Sequence, residues 1–285
     1  MKPSVYLLIL TWNAKQVLFE CLESVMKLDY PNLKIVVMDN GGTDGTPQAV
    51  RETYGDKVTL IENGANLHFA RGNNPGIEYA VREQADYLML LNDDVIVDPA
   101  MVSTLIETIE RDPRIGVIGP KVYYENPPDQ IWFAGGLVHL YKGTSEHLGI
   151  REQDKGQYDQ RRDVDYITGC ALLIRREVVE QIGPLDPAFL IYWEDTDWCM
   201  KAKRAGYRVV YEPAAKMWHK ISASRGGQLS KYKLRNKLRS AWIFHKRWAR
   251  WYHWLTIPFF FTLDTLRILW MIATGGFKRG YKRAA

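Results

Sequence analysis

Cysteine is scarce. Cys21, Cys170 and Cys199 are the only three in 285 residues, too few and too scattered for a disulfide framework or a zinc site. Such usage fits a reducing compartment, with the thiols serving as small buried apolar filler. The glycine-rich phosphate fingerprints are missing too. No G-x-G-x-x-G follows the first apolar run and no G-x-x-x-x-G-K-[ST] occurs, which disfavours a dinucleotide-dependent dehydrogenase and a P-loop NTPase. A clean membrane span is also lacking. The best stretch, Leu255 to Ala273, is broken by Pro258, Asp264 and Arg267, whereas a spanning helix needs about 20 mostly apolar residues. Met1-Lys2-Pro3-Ser4 runs straight into a strand pattern without a small-residue cleavage site, so no signal peptide is expected.

Acidic residues are missing from the last fifth of the chain. From Leu229 onward there are 13 Lys and Arg against one acid, Asp264. The preceding body carries about −7 and the tail about +12, within a net charge of +5. A body of that sign does not suit nucleic acid, while the tail suits an anionic surface. Five of the ten tryptophans fall in the tail, interleaved with bases. Amphipathic segments lying in a membrane interface are expected over residues 229–285, with a dimerisation helix pair as the alternative.

What is present is a rhythm of strands and helices. Val5 to Leu10, Ile35 to Met38, Val58 to Ile61 and Tyr87 to Leu91 are short apolar runs of strand length. Between them, Leu18, Leu22, Val25 and Met26 recur at helical spacing, Thr46-Pro47 opens a second helix as cap and first helical residue, and a third runs from about Ile77 to Glu83 after a loop from Asn63 to Gly72. This alternation predicts a parallel, doubly wound α/β sheet. Further strands are expected at Gly116 to Pro120, Leu172 to Ile174 and Arg208 to Tyr211. The stretch from 121 to 165 changes character: short strand-like pieces precede a polar segment, Gly143 to Arg162, read as a flexible excursion.

Each apolar run ends in small polar residues: Thr11-Trp12-Asn13, Asp39-Asn40, Asn66 in the loop after the third run, and Asn92-Asp93-Asp94. In a doubly wound sheet these ends share one edge, where ligands bind. Two adjacent carboxylates there are costly unless a cation or hydrogen-bond donors compensate, and a hard divalent cation shared with a phosphate suits them. Each residue has a blander role as well: Asn13 as an N-cap, Asp39 as a turn aspartate, Asp195 or Thr196 as the cap of a helix running to Ala205, His219 as an ordinary structural histidine. Gly169-Cys170-Ala171, between apolar runs, signals close approach of backbone to a ligand or helix.

With these residues in view, the chain resembles the GT-A-fold glycosyltransferases of family 2, close to rhamnosyltransferase-like bacterial members, over roughly residues 4 to 240. The resemblance rests on Thr11-Trp12-Asn13, Asp39-Asn40 with Asp44-Gly45-Thr46, and Asn66 through Gly72-Asn73-Asn74. It continues through Leu90-Leu91-Asn92-Asp93-Asp94, Thr168 to Arg175, Trp193-Glu194-Asp195-Thr196-Asp197-Trp198-Cys199 and Lys216-Met217-Trp218-His219. It implies a catalytic domain over 1–228, with a nucleotide-sugar half to about residue 120 and an acceptor half beyond.

It further implies that Thr11, Asn13 and Asp39 hold the base, Asp93 the ribose, and Asn66, Arg71 and Asn92 further parts of the donor. Asp94 and His219 would bind Mg²⁺ or Mn²⁺, and Asp195 would be the general base. Gly169, Trp193 and Glu194 would lie on the acceptor side. Asn92 departs from the common D-x-D, and the Q-x-x-R-W of processive members is absent, Gln228-Leu-Ser-Lys-Tyr being a poor echo. Single-sugar transfer follows: an inverting, metal-dependent reaction from a UDP- or dTDP-sugar, dTDP-rhamnose included, to a lipid-linked or cell-surface glycan, at the cytoplasmic membrane face. The rivals are a GT-A-like nucleotidyltransferase and a catalytically silent glycan-binding membrane protein.

Overall fold

The computed structural model describes residues 2–220, 231–260 and 262–263, with side chains at 231–234 not described. In chain order the first half comprises β1 (Val5–Thr11), α1 (Lys15–Val25), β2 (Leu33–Asp39), α2 (Thr46–Tyr54), β3 (Val58–Glu62), α3 (His68–Arg82), β4 (Tyr87–Asn92), β5 (Val95–Val97) and α4 (Met101–Glu110). The second half comprises β6 (Ile115–Tyr124), β7 (Ile131–Phe133), β8 (Gly136–His139), β9 (Thr144–His147), β10 (Arg162–Asp163), β11 (Ala171–Arg175), α5 (Arg176–Ile182), α6 (Glu194–Arg204), β12 (Arg208–His219) and α7 (Lys231–Trp248).

One sheet runs in the order β10-β12-β6-β11-β4-β1-β2-β3, with β5 added to β12 and β7 to β6; β8 and β9 pair separately. The β4-β1-β2-β3 side is parallel throughout. The other side is mixed: β11 runs antiparallel to both neighbours, and β12 is parallel to β6. The expected doubly wound, mostly parallel α/β sheet is thus present. β1, β4 and β11 are buried almost throughout, as unbroken Val, Leu and Ile runs require for strands covered on both faces.

Several local expectations are corrected. The loop expected from Asn63 to Gly72 is partly helix: α3 starts at His68 and carries Pro75 inside it. The glycines of this helix serve close packing. A Cβ on Gly76 would lie 2.5 Å from the Met38 sulfur, so the helix can rest on β2 only without one. Tertiary contact here outweighs propensity. Asn13 does not cap α1: its backbone is left-handed (φ 48°) and its Oδ1 accepts from the Thr43 amide at 2.6 Å. Thr46 is the first helical residue and not the cap, because Asp44 accepts its amide and hydroxyl. Neither Asp195 nor Thr196 caps α6, whose N-cap position is Trp193 in a left-handed conformation.

The strand piece Val122 to Tyr124 continues β6, and Arg208 to His219 is one strand with a register shift between Glu212 and Lys216. The polar segment Gly143 to Arg162 is anchored and not a loose excursion. Lys121, fully buried, donates to Asp154 at 2.9 Å and Asp159 at 2.5 Å, and the Tyr123 hydroxyl reaches Asp154 at 2.6 Å. A buried ammonium needs such partners.

Candidate active site

The site lies along the carboxyl edge of β1, β2 and β4. Parallel pairing places Thr11 beside Asp39 in register, and Leu10 beside Asn92. Asp39 Oδ2 accepts from the Gly41 and Gly42 amides at 3.1 and 3.0 Å, which turns the chain sharply over the strand end. Its other oxygen, Oδ1, and the neighbouring Thr11 hydroxyl are both buried without a hydrogen-bond partner. Buried polar atoms are almost always satisfied, so two orphans side by side define a subsite that awaits polar groups. Asn13 braces this subsite through its bond to Thr43.

Asn66 and Arg71 have other tasks. Asn66 Oδ1 accepts from the Asn40 side chain and the His68 amide, which shapes the entry to α3. Arg71 Nε donates to the Pro187 carbonyl at 3.1 Å and so ties α3 to the segment before α6.

Beyond Asn92 the chain bends through Asp93 and Asp94 into β5, which pairs antiparallel with β12 so that Val95 faces His219. The Lys220 amide donates to the Asp94 carbonyl at 2.8 Å, and His219 Nε2 lies 3.0 Å from Asp94 Oδ1. Burial works against a charged imidazole here, but the neighbouring Cys170 sulfur and the Asp94 carboxylate overcome it and push His219 up to about 10. The imidazole is clamped by Trp132, whose ring lies 4.7 Å away edge-on. Asp93 is buried beside them. Beneath the bend, the Cys21 thiol donates to the Asn92 carbonyl at 3.6 Å, and burial holds it protonated.

The turn from Thr168 to Ala171 joins this pair to the third carboxylate. The Cys170 carbonyl accepts from the Asn92 amide at 3.0 Å, and the Gly169 amide donates to Asp195 Oδ2 at 2.8 Å. A Cβ at Gly169 would stand 3.0 Å from the Phe69 ring and 3.4 Å from the Asp195 Cβ, so the sequence signal of close backbone approach is met by Asp195 itself. Asp195 Oδ1 accepts from the Thr196 amide at 2.6 Å. Burial raises the Asp195 carboxyl, and these donors partly offset the rise. Glu194 differs: at 6% exposure, with Oε2 unpartnered, burial and then the adjacent Asp195 push it up to about 8. At neutral pH it is mostly a neutral acid.

Trp193 turns away from this edge and packs on α7, its ring 4.5 Å from Phe244. Asp197 also faces α7, accepting from Arg247 at 2.7 Å and from the Trp248 indole at 2.8 Å. Trp132, Cys170, Arg247 and Trp248 were not anticipated as site neighbours. Arg247 and Trp248 lie in the basic, aromatic stretch after Leu229, where no local pattern tells which element they pack on. Among the described residues no three His, Cys, Asp or Glu side chains form a complete metal cage, and no helix is long and apolar enough to cross a membrane.

This sheet, with acids at its carboxyl edge, is the arrangement of a sugar-transferring enzyme of the GT-A type. The model of the family described as glycosyltransferase like family 2 matches residues 3–253, and the chain belongs to that family. It is 27% identical over 256 residues to an uncharacterized protein of Sinorhizobium fredii, covering 86% of this chain but 28% of that protein's length. It is 28% identical over 241 residues to the N-acetylglucosaminyl-diphospho-decaprenol L-rhamnosyltransferase of Mycobacterium tuberculosis, covering 76% of this chain and 77% of that one. A mannosyltransferase from Pyrobaculum calidifontis, solved with GDP-Man and Mn²⁺, shares the fold with a TM-score of 0.66 at 17% identity, over 100% of this chain and 82% of that one.

Proposed function

We propose that this glycosyltransferase moves one sugar, with inversion, from a UDP- or dTDP-linked donor such as dTDP-rhamnose to a hydroxyl of a lipid-linked or cell-surface glycan, using Mg²⁺ or Mn²⁺. The observation that carries this reading is the Asp94–His219 pair, 3.0 Å apart at the carboxyl edge of the sheet. One carboxylate and one imidazole, the latter giving up its proton in exchange for the ion, make two of the six positions of an octahedral shell. Cations that serve nucleotides take one or two protein ligands and complete the shell with phosphate and water, so the residues present fit the ion. The mixed O,N set suits Mn²⁺ at least as well as Mg²⁺. An ion held by Asp94 and His219 would supply positive charge to offset that of the diphosphate leaving group.

The chain's own residues do the rest. A pyrimidine imide offers an N–H to the orphaned Asp39 Oδ1 and a carbonyl to the orphaned Thr11 hydroxyl. Asp195, aimed by the Gly169 amide, takes the proton from the acceptor hydroxyl as that oxygen attacks the anomeric carbon opposite the leaving group. Glu194, raised by burial and not aimed by the Gly169 amide that holds Asp195, is the poorer candidate for the base. The relative from Mycobacterium tuberculosis, whose name gives a polyprenyl-diphosphate acceptor, supports rhamnose as the sugar and a lipid-linked glycan as the acceptor.

A panel of UDP-, dTDP- and GDP-sugars tests this. A UDP- or dTDP-sugar should raise Tm only with Mg²⁺ or Mn²⁺, and Asp94→Ala should abolish both the shift and turnover. Full activity in excess EDTA, or stabilisation by GDP-sugars alone, contradicts the reading.

The location proposed is peripheral, on the cytoplasmic membrane face. Leu238, Trp242, Trp251, Leu255 and Phe259 are exposed, amid exposed Arg235, Lys237, Arg239, Lys246 and Arg250, a combination suited to anionic lipid. Trp251→Ser with Leu255→Ser should weaken co-sedimentation with phosphatidylglycerol vesicles, and high salt should act in the same direction. A concentration-dependent dimer with no vesicle binding would assign this face to a second copy instead.

A further inference from the structure

We infer that α7 is a positioning element of the catalytic site: Arg247 and Trp248, acting through Asp197, hold the turn that aims Asp195. The inference rests on Asp195 as the base. Tyr192 and Trp193, immediately before Glu194-Asp195, are both left-handed, with φ of 70° and 72°. Two consecutive residues with a Cβ adopt that conformation only where the surroundings over-determine it.

The surroundings here are α7. Before the turn, the Ser240 hydroxyl donates to the Ile191 carbonyl at 2.9 Å. At the turn, the Phe244 ring lies against Trp193. After it, the Asp197 amide closes the first helical turn on the Trp193 carbonyl at 2.8 Å. The Asp197 carboxylate, 1% exposed, is held by Arg247 and the Trp248 indole, 50 and 51 residues away in sequence. A second arm of Arg247 reaches Asp186 at 2.5 Å, so one guanidinium spans the segment on both sides of the turn.

Asp195 lies between these anchors, two residues before Asp197. Its carboxylate is fixed on the Gly169 side by the amide bond, but its backbone is fixed on the α7 side only through the turn. Arg247 and Trp248 touch neither donor nor acceptor in this account. Their effect on chemistry passes through the placement of one carboxylate, where displacement on the order of 1 Å costs rate more than affinity.

The test uses the full chain with Trp248→Phe and Arg247→Lys, which retain most of the bulk or the charge. Both should speed amide exchange over residues 190–197 at least tenfold, with β1, β2 and β4 unchanged. Both should slow single-turnover cleavage of dTDP-rhamnose or UDP-GlcNAc with Mn²⁺, whichever is the better donor, at least tenfold, with donor Kd unchanged. In an Asp195→Asn background the same substitutions should cost less than twofold, because a positioning residue has nothing left to position. Equal losses in both backgrounds, unaltered exchange at 190–197, or a loss confined to donor Kd would overturn the inference. Should either variant melt below assay temperature, Ser240→Ala deletes one hydrogen bond from the same turn and provides the comparison. Wild-type cleavage by Asp195→Asn would sink the base assignment, while unchanged exchange would sink the clamp, so the two failures are distinct.

Discussion

The two sides of the sheet supply the site in different ways. On the parallel side, Thr11, Asp39 and Asn92 stand at the ends of β1, β2 and β4, and register alone gathers them. On the mixed side, each functional group is set by a partner far along the chain. Gly169 meets Asp195 across 26 residues, Asp197 meets Arg247 across 50, and Asp94 meets His219 across 125. The parallel edge is thus a property of topology, whereas the mixed edge is a property of tertiary contacts. Substitutions on the first side should act mainly on donor binding; on the second, those at Asp195 and its supports should act mainly on rate or on stability, while Asp94 and His219 should act on donor binding and rate together.

The largest effect that sharpens this contrast belongs to Asp195→Asn. It should lower transfer by ~10²–10⁴, the scale of a general base, while donor affinity stays near normal. Single-turnover transfer at saturating donor, compared with Glu194→Gln, decides it: a dead Glu194 variant beside a live Asp195 variant would move the base by one residue. Next comes Asp39→Asn. Its carbonyl can still accept the two glycine amides, but it presents an N–H to the imide N–H of the donor. Donor Kd should weaken about 10- to 100-fold, the range of a lost charged hydrogen bond, with turnover at saturation kept. Titration calorimetry reads this, and a fall in turnover with Kd unchanged would erase the division between the sides.

The smallest effect concerns stability. Glu194 is raised from its ordinary value to about 8 by burial. Its protonated form therefore stabilises the fold fully below about pH 4.5, and that contribution is lost as pH rises through 8. Glu194→Gln, which cannot ionise, should match the wild type in stability near pH 4.5 and exceed it near pH 9 by an unfolding free energy on the order of 2–4 kcal/mol, read as a higher Tm at the alkaline end only. Parallel melting curves across that range would contradict the neutral-acid reading.

The strands were legible because apolar runs of strand length ended in polar residues, and a doubly wound sheet places those ends together. Asp94, His219 and Asp195 could be singled out as polar groups ending apolar or aromatic runs, although their roles came from resemblance. What stayed illegible depended on contact. The expected loop runs to Gly72 and the expected helix starts only near Ile77, because nothing in the local pattern reveals that Gly72 and Gly76 let α3 press on β1 and β2. The segment that carries Asp154 and Asp159 reads as a flexible excursion because the buried Lys121 that claims them lies more than 30 residues earlier. Trp193 reads as an acceptor-side residue, and Arg247 as a basic tail residue, because helical periodicity cannot say which other helix a side chain meets.

His219 reaches Asp94 only after β12 has paired with β5, 125 residues further along the chain. At synthesis rates of ~5–20 residues per second, that span takes roughly 6–25 s to leave the ribosome. Throughout that interval Asp94 lacks its imidazole partner, so the pair that the proposed cation needs is completed only when the chain is about four-fifths synthesised.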